Sequence, residues 1–305
     1  MGKVSSRAEI RQRLHSALAQ GKGLLAGAPG SGLNAKISEL GGIDLLMVLH
    51  TGLMRQRGLP SIAQPEKPTN EIVKEMFQDQ FRVTSQVPIL AGIDVGQFPA
   101  GGDLNVLIDS FLDLGFSGVV NFMSAGEIGS SEFVKLAEQN KGTDPMADLQ
   151  FRGEMEMFEQ CRQKERCGVG FAREAEMIRC CNARDIFSMT YVFTPEQAAQ
   201  MAQAGADAIA AHCGGTAGGT VGHRAVLGYA DAAKRLQDMF DAAHAVNPDI
   251  FLFGHGGPFA DPEDVAEMYR LCGAQGFVAG SGIDRLPIER AIVAAVEQFR
   301  CARRA

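Results

Sequence analysis

One cadence repeats along the chain and limits what it can fold into: a helix ending in glycine, a short apolar strand, then a glycine-containing loop. It occurs as Leu40-Gly41-Gly42 before IDLLMVLH and as Leu114-Gly115 before GVVNFMSAG. It returns as Ala204-Gly205 before DAIAAHCGG and as Cys272-Gly273 before GFVAGSG. Glycine after a helix supplies the left-handed cap, and a continuously apolar strand is one covered on both faces. Such strands alternating with amphipathic helices build βαβ units on a parallel sheet. Strands are expected at 24–27, 45–50, 88–94, 119–122, 186–192, 208–212, 250–255 and 277–280, with 169–172 as an alternative ninth. Eight strands in 305 residues predict an α/β fold, a (β/α)8 TIM barrel forming one domain over residues 1–305. Extra material at about 131–166, helical from Ala147, interrupts the alternation after strand four and reads as a lid or a subunit contact.

Charge and composition narrow the partners. A net charge of -7, with no Trp and 3 Tyr, leaves neither the basic surplus nor the stacking platforms that nucleic acid requires. The 7 Cys include no CxxC pair, so they read as reduced thiols in a reducing, cytoplasmic setting. Residues 7–20 read as a charged amphipathic helix, and the apolar run 24–33 is too short and too rich in Gly and Pro for a membrane span.

Active sites of α/β barrels lie where the strands end. Here the strand ends carry Gly27, His50, Asp94, Asn121, Tyr191, His212, His255 and Ser281. Three of the 6 His fall in that set, beside an Asp, an Asn and a Tyr. His212 and His255 are candidate general acids or bases, because imidazole titrates near neutral pH. Asn121, Tyr191 and Thr216 are candidates to orient or polarise an oxygen. Strand seven ends His255-Gly256-Gly257-Pro258, and strand eight runs through Gly280-Ser281-Gly282 to Arg285. Glycines there let backbone N–H groups approach an anion, and Arg285 adds a bidentate donor. The loop after strand six, with Thr216, Gly218 and Gly219, is placed to wrap a second polar group of the substrate, and Lys36 to reach the mouth as a cation.

Two nucleotide motifs fail. GAPGSGLNAK lacks the adjacent Gly-Lys-Ser/Thr of a P-loop, and strand two ends in His50 where a dinucleotide site needs an acid. No Lys ends a strand, which speaks against Schiff-base chemistry, so neither nucleotide nor pyridoxal phosphate is expected. Asp94, Glu127, Glu174 and Glu176 are the acids available for proton transfer or Mg²⁺; Glu174 and Glu176 lie two apart and cannot share a helix face.

AGAPGSGLNAK, PILAGID, GVVNF, EAEMIRCC, TYVFTPEQAAQMAQAGADAIAAHCGGTAGGTVG, NPDIFLFGHGGP and GFVAGSGIDRLPIE together resemble the phosphoenolpyruvate hydrolase-like family of TIM barrels. That family is also called a TIM-barrel signal-transduction family, and its members carry the label phosphonopyruvate hydrolase. The resemblance implies kinship with phosphoenolpyruvate/pyruvate barrels, use of Mg²⁺ and homo-oligomers. Its pattern falls on Lys36, Asn121, Glu174, Glu176, Tyr191, His212, Thr216, Gly218, Gly219, His255, Gly256, Gly257, Ser281 and Arg285. It departs where the family pattern Ala-Ser-Ser-Met-Glu-Arg-Leu-Pro meets Ala279-Gly280-Ser281-Gly282-Ile283-Asp284-Arg285-Leu286-Pro287, and the Glu-Asp-Lys loop of phosphonopyruvate enzymes is not found. The expectation is a hydrolase or lyase acting on a small anionic keto-acid-like substrate of phosphoenolpyruvate or phosphonopyruvate type. The rivals are a metal-dependent hydrolase built on His50, Asp94, His212 and His255, and a non-catalytic metabolite-sensing barrel. The apolar C-terminal helix at 288–299 supports self-association.

Overall fold

In a computed structural model the chain is described over residues 2–302; Met1 and 303–305, the ends of the expected domain, lie outside the described residues. The first half runs α1 (Arg7–Ala19), β1 (Leu24–Gly27), α2 (Gly32–Leu40), β2 (Leu45–Val48), α3 (His50–Gln56), α4 (Thr69–Val83), β3 (Ile89–Ile93), α5 (Leu104–Leu112) and β4 (Gly118–Asn121). Then come α6 (Ser131–Glu138), α7 (Pro145–Arg166), α8 (Phe171–Ala183), β5 (Phe187–Val192), α9 (Pro195–Ala204), β6 (Ala208–His212) and α10 (Tyr229–Val246). The chain closes with β7 (Phe251–His255), α11 (Pro262–Leu271), β8 (Gly276–Ala279), α12 (Ser281–Asp284) and α13 (Leu286–Cys301).

All neighbouring strands pair in parallel, and β1 pairs with β8 from Leu24↔Gly276 to Gly27↔Ala279, closing the expected barrel. Side-chain alternation explains why so many strand positions are apolar. Along β6, Ala208 and Ala210 fill the barrel interior while Ile209 and Ala211 face the surrounding helices. Two sequence expectations are corrected. The apolar run of β2 stops at Val48, and His50 instead heads α3 behind an extended Leu49. Residues 169–172 form no strand, since Phe171 already opens α8. The material between β4 and β5 is helical as expected: Asp144 caps Met146 and Ala147, Pro145 sits at the first turn, and α7 continues to Arg166.

The bottom of the barrel is stoppered by α1. Its Ile10 and Leu14, both fully buried, pack among Leu24, Leu45, Phe187 and Phe251. Burial of each contributes roughly 2 kcal/mol. The helix is pinned by Asp207, which is fully buried just before β6. Its carboxylate accepts from Arg7 Nε at 2.9 Å, Arg11 Nη1 at 2.8 Å and the Ser188 backbone N–H at 3.1 Å. Asp207→Ala is expected to lower unfolding free energy in urea by about 3 kcal/mol, because it strands two guanidinium groups and a buried N–H. Loss below about 1 kcal/mol would show that α1 is not anchored there.

Candidate active site

At the C-terminal ends of the strands lies a cavity of about 860 Å³, its open mouth included. Its floor is set by a buried ion pair that sequence reasoning missed. Arg55, on α3, donates from Nε to Asp284 Oδ2 at 2.7 Å, and neither side chain is more than 3% exposed. Nη1 reaches the hydroxyls of Thr51 and Ser61, and Nη2 donates to the Ala28 carbonyl. Asp284 Oδ1 accepts further bonds from Gly30 N–H, Asn34 Nδ2 and Gln56 Nε2. The acid preceding Arg285-Leu286-Pro287, Glu in the resembling pattern and Asp284 here, was the signal available for it.

His212 and His255 come together as expected, their ring centroids 4.9 Å apart at paired ends of β6 and β7. Their hydrogen bonds assign opposite tautomers. The Gly214 N–H donates to His212 Nδ1 at 3.0 Å, which leaves the proton on Nε2. His255 Nδ1 lies 2.7 Å from the Val278 carbonyl, which only accepts, so the proton is on Nδ1 and Nε2 keeps a lone pair. One imidazole therefore offers a donor to the cavity and the other an acceptor. Burial, and for His212 also the neighbouring His255, push both below the usual imidazole range, His255 to about 4. His50 also lines the cavity, is 2% exposed, and has no partner at Nδ1. Burial, helped by Lys164 and Arg55, pushes it down to about 3. Tyr191 stands 5.4 Å ring-to-ring from His255, and burial raises its phenol, which stays protonated.

The roof joins distant segments. Glu127 follows β4, Glu154 and Met157 come from α7, and Thr216, Val221 and His223 from the loop after β6. Glu154 pairs with His223 at 2.9 Å, and Gln150 Nε2 donates to the Val221 and Gly222 carbonyls. Glu154 and His223 carry no local motif, so the sequence reading missed both.

The other predicted residues divide. Gly280, Ser281 and Arg285 line the cavity. Arg285 is held from Nε by Ser281 Oγ and from Nη1 by Glu289. Gly256 and Gly257 do not line it; they serve loop packing, since a Cβ on Gly256 would lie 2.0 Å from the Gly214 carbonyl oxygen. Gly218 and Gly219 line a separate surface cleft, and Gly219 is demanded by its close approach to Arg285. Gly282 abuts the Ala260 carbonyl, and Lys36 is exposed on α2 away from the cavity. Asn121 is fully buried behind Tyr191, accepting its backbone N–H at 2.6 Å.

Of the acids named for Mg²⁺, Asp94, Glu174 and Glu176 do not converge on the cavity, whereas Glu127 lines it. Asp94 is paired with Lys164 at 2.8 Å and accepts from Gly96 N–H. Glu174, buried, takes bonds from Asn121, Ser124 and the Ala125 N–H; burial lifts its carboxyl to about 7 against those donors. Glu176 is half-exposed and paired with Arg173. These three carboxylates do not fit a Mg²⁺ site, and among the described residues no His/Cys/Asp/Glu group of three or more is arranged for a metal. Asp94 does not line the cavity that His50, His212 and His255 share.

The chain matches the family model described as phosphoenolpyruvate hydrolase-like over residues 9–164 and 153–301. From Solanum lycopersicum, the ToMV susceptible protein tm-1(GCR26) is 32% identical over 304 residues, covering 97% of this chain and 36% of that protein. The ToMV resistance protein Tm-1(GCR237) of the same plant shows the same 32% identity and the same coverage, 97% and 36%. The chain thus spans about a third of the length of these curated relatives. Among solved structures, a phosphonopyruvate hydrolase aligns with TM-score 0.54 at 17% identity, covering 98% of this chain and 85% of that one. A phosphonopyruvate hydrolase in complex with oxalate and Mg²⁺ aligns with TM-score 0.53 at 18% identity, covering 95% and 84%. At such identities the likeness is one of fold, the (β/α)8 barrel.

The neutral imidazoles carry a pH signature. A His whose native value is depressed stabilises the fold above its unfolded value of about 6.5, and that contribution is lost as pH falls toward the native value. For His50 the window runs from about 6.5 down to about 3. Between pH 7 and pH 4, urea unfolding is expected to show an acid loss to which His50 contributes about 3 kcal/mol, a share that His50→Gln removes while that of His212 and His255 remains. Equal acid sensitivity of both proteins would contradict the assignment.

Proposed function

The chain belongs to the phosphoenolpyruvate hydrolase-like family, and from that premise we propose that it is a hydrolase or lyase acting on a small phosphorylated or phosphonylated 2-oxo acid. One observation carries the reading: His50 Nδ1, the Tyr191 hydroxyl, His212 Nε2, His255 Nε2 and the Glu127 carboxyl all belong to the cavity lining, and none has a hydrogen-bond partner among the described residues. Polar groups in a partly buried cavity without protein partners are groups whose partner is the ligand. Arg285, Ser281 and Gly280 form the side on which the anionic group sits. Arg55 adds positive potential there while its nitrogens are held by Asp284, Thr51, Ser61 and Ala28.

The opposite tautomers give the two His residues distinct work. His212 Nε2–H, with the Tyr191 hydroxyl, donates to the carbonyl oxygen and stabilises it as charge develops there on bond cleavage. His255 Nε2 accepts a proton from the attacking water. Asn121 acts behind them by fixing the Tyr191 backbone. Helix α7 of the insertion and the β6 loop roof the cavity and hold bulk water away, and the whole works as one barrel unit. Asp94, Glu174 and Glu176 are committed elsewhere, so the chemistry is assigned to these side chains; the structural neighbour crystallised with Mg²⁺ and oxalate makes the ion a variable of the test.

Phosphorus NMR with phosphoenolpyruvate and phosphonopyruvate, with and without Mg²⁺, tests the proposal. Inorganic phosphate should appear with at least one substrate, and His212→Gln or His255→Gln should slow it about 100-fold. Unchanged spectra for both substrates would remove the hydrolase reading.

Self-association is proposed on separate grounds. On α13, Ile292, Val293, Val296 and Phe299 are exposed, and on α2 Leu33, Ile37 and Leu40 are too. Helix faces this apolar are covered in working proteins, here by a second copy. Light scattering should report a multimer that Phe299→Glu shifts toward monomer; a monomeric wild type would end the idea.

A further inference from the structure

We infer that Glu127 is the proton donor to carbon in this site, an inference that rests on the 2-oxo acid reading above and names a residue it leaves idle. Both imidazoles that touch the reacting region are neutral, one a fixed donor to oxygen and the other an acceptor. Neither supplies the proton that a carbanion needs. Every other carboxylate around the barrel mouth is committed: Glu154 to His223, Asp94 to Lys164, Asp284 to Arg55, and Glu174 to Ser124, Asn121 and Ala125. Glu127 alone among them lines the cavity with its carboxyl unpartnered among the described residues.

Its placement is built. The 3₁₀ turn Ala125–Ser130 that carries it begins directly after β4 and is nailed to the barrel by Glu174, whose carboxylate takes the Ser124 hydroxyl at 2.7 Å and the Ala125 N–H at 2.6 Å. This gives the buried Glu174, which holds no metal ligand geometry, a positioning role. The cavity wall to which Glu127 belongs includes the apolar Met123, Ile62 and Met157. The charged or titratable groups facing it are Glu154, Lys164 and Cys161. That desolvated wall and the Glu154 charge raise it well above the ordinary carboxylate range, whereas Lys164, already bonded to Asp94, opposes this only in part. A carboxyl so placed favours its protonated form, which is able to give a proton.

In hydrolysis of a 3-phosphono-2-oxo acid, the water oxygen forms a P–O bond as the P–C bond breaks. The bonding pair passes to C3 and the carbonyl oxygen as an enolate. Glu127 delivers its proton to C3, and the C–H bond forms. The proton lost by water goes to His255 Nε2 and returns to Glu127 after release, so substrate plus water becomes 2-oxo acid plus phosphate.

Deuterium exchange into the methyl group of pyruvate, followed by proton NMR in D₂O with EDTA, isolates this step from P–C cleavage. The wild type should exchange, Glu127→Gln should slow exchange and phosphate release about 100-fold, and Glu127→Asp should retain part of both. Saturable oxalate binding by calorimetry and a cooperative urea transition should persist in both variants, which separates a lost proton from a lost fold. Persistent exchange in Glu127→Gln, no exchange in the wild type, or wild-type exchange only with Mg²⁺ would each overturn the inference. Exchange lost in Glu127→Gln with no phosphate released by the wild type would leave Glu127 in its role and remove the hydrolase reading alone.

Discussion

The Arg55–Asp284 pair holds the barrel mouth together. A cylinder of parallel strands has one seam where the last strand meets the first, and the loops above it must be joined by side chains. Here Asp284, the last residue of α12 after β8, gathers Gly30 and Asn34 from the β1 side and Arg55 and Gln56 from α3. Removing one member of a buried pair costs roughly 3–5 kcal/mol, because the survivor keeps its charge without its partner. The same guanidinium reaches the Ala28 carbonyl, Thr51 and Ser61, so closure of the barrel and the floor of the cavity are one network.

Above that floor the cavity works with neutral groups. With imidazoles pushed toward 3 and 4, and a phenol pushed up, these rings are uncharged in the resting site near neutral pH. Such groups act as oriented dipoles, and their orientation is fixed from behind by backbone: Gly214 N–H for one His, the Val278 carbonyl for the other. Preorganised dipoles need little rearrangement when charge appears on the ligand.

How much of this the sequence carried follows from range. The strands were legible because each is covered on both faces and so writes a contiguous apolar run bounded by glycine. His212 and His255 were legible because β6 and β7 end together in register, bringing strand-end residues face to face. His50 was misplaced because the apolar run LLMVLH gives no sign that Leu49 turns into a helix. The glycines of the His255-Gly256-Gly257 loop were read as an anion cradle, but what they permit is contact with the Gly214 carbonyl, a backbone neighbour invisible in a linear chain. Arg55 with Asp284, and Glu154 with His223, lie 229 and 69 residues apart, so no local spacing announces them. Glu174 and Glu176 were legible as two acids that cannot share a helix face; the inward one is Glu174, and its partners are donors, not a cation.

The roof has an evolutionary consequence. The residues that close the cavity from above come from α7 and the β6 loop, whereas the imidazoles, Tyr191 and the ion pair below belong to strand ends and the short helices beside them. A lineage can therefore lengthen, shorten or reshape residues 131–166 and alter which molecules gain admission while every strand and its chemistry are inherited intact. Divergence within such a lineage would be concentrated in one segment, and the ancestral reaction would be preserved beneath a changing door.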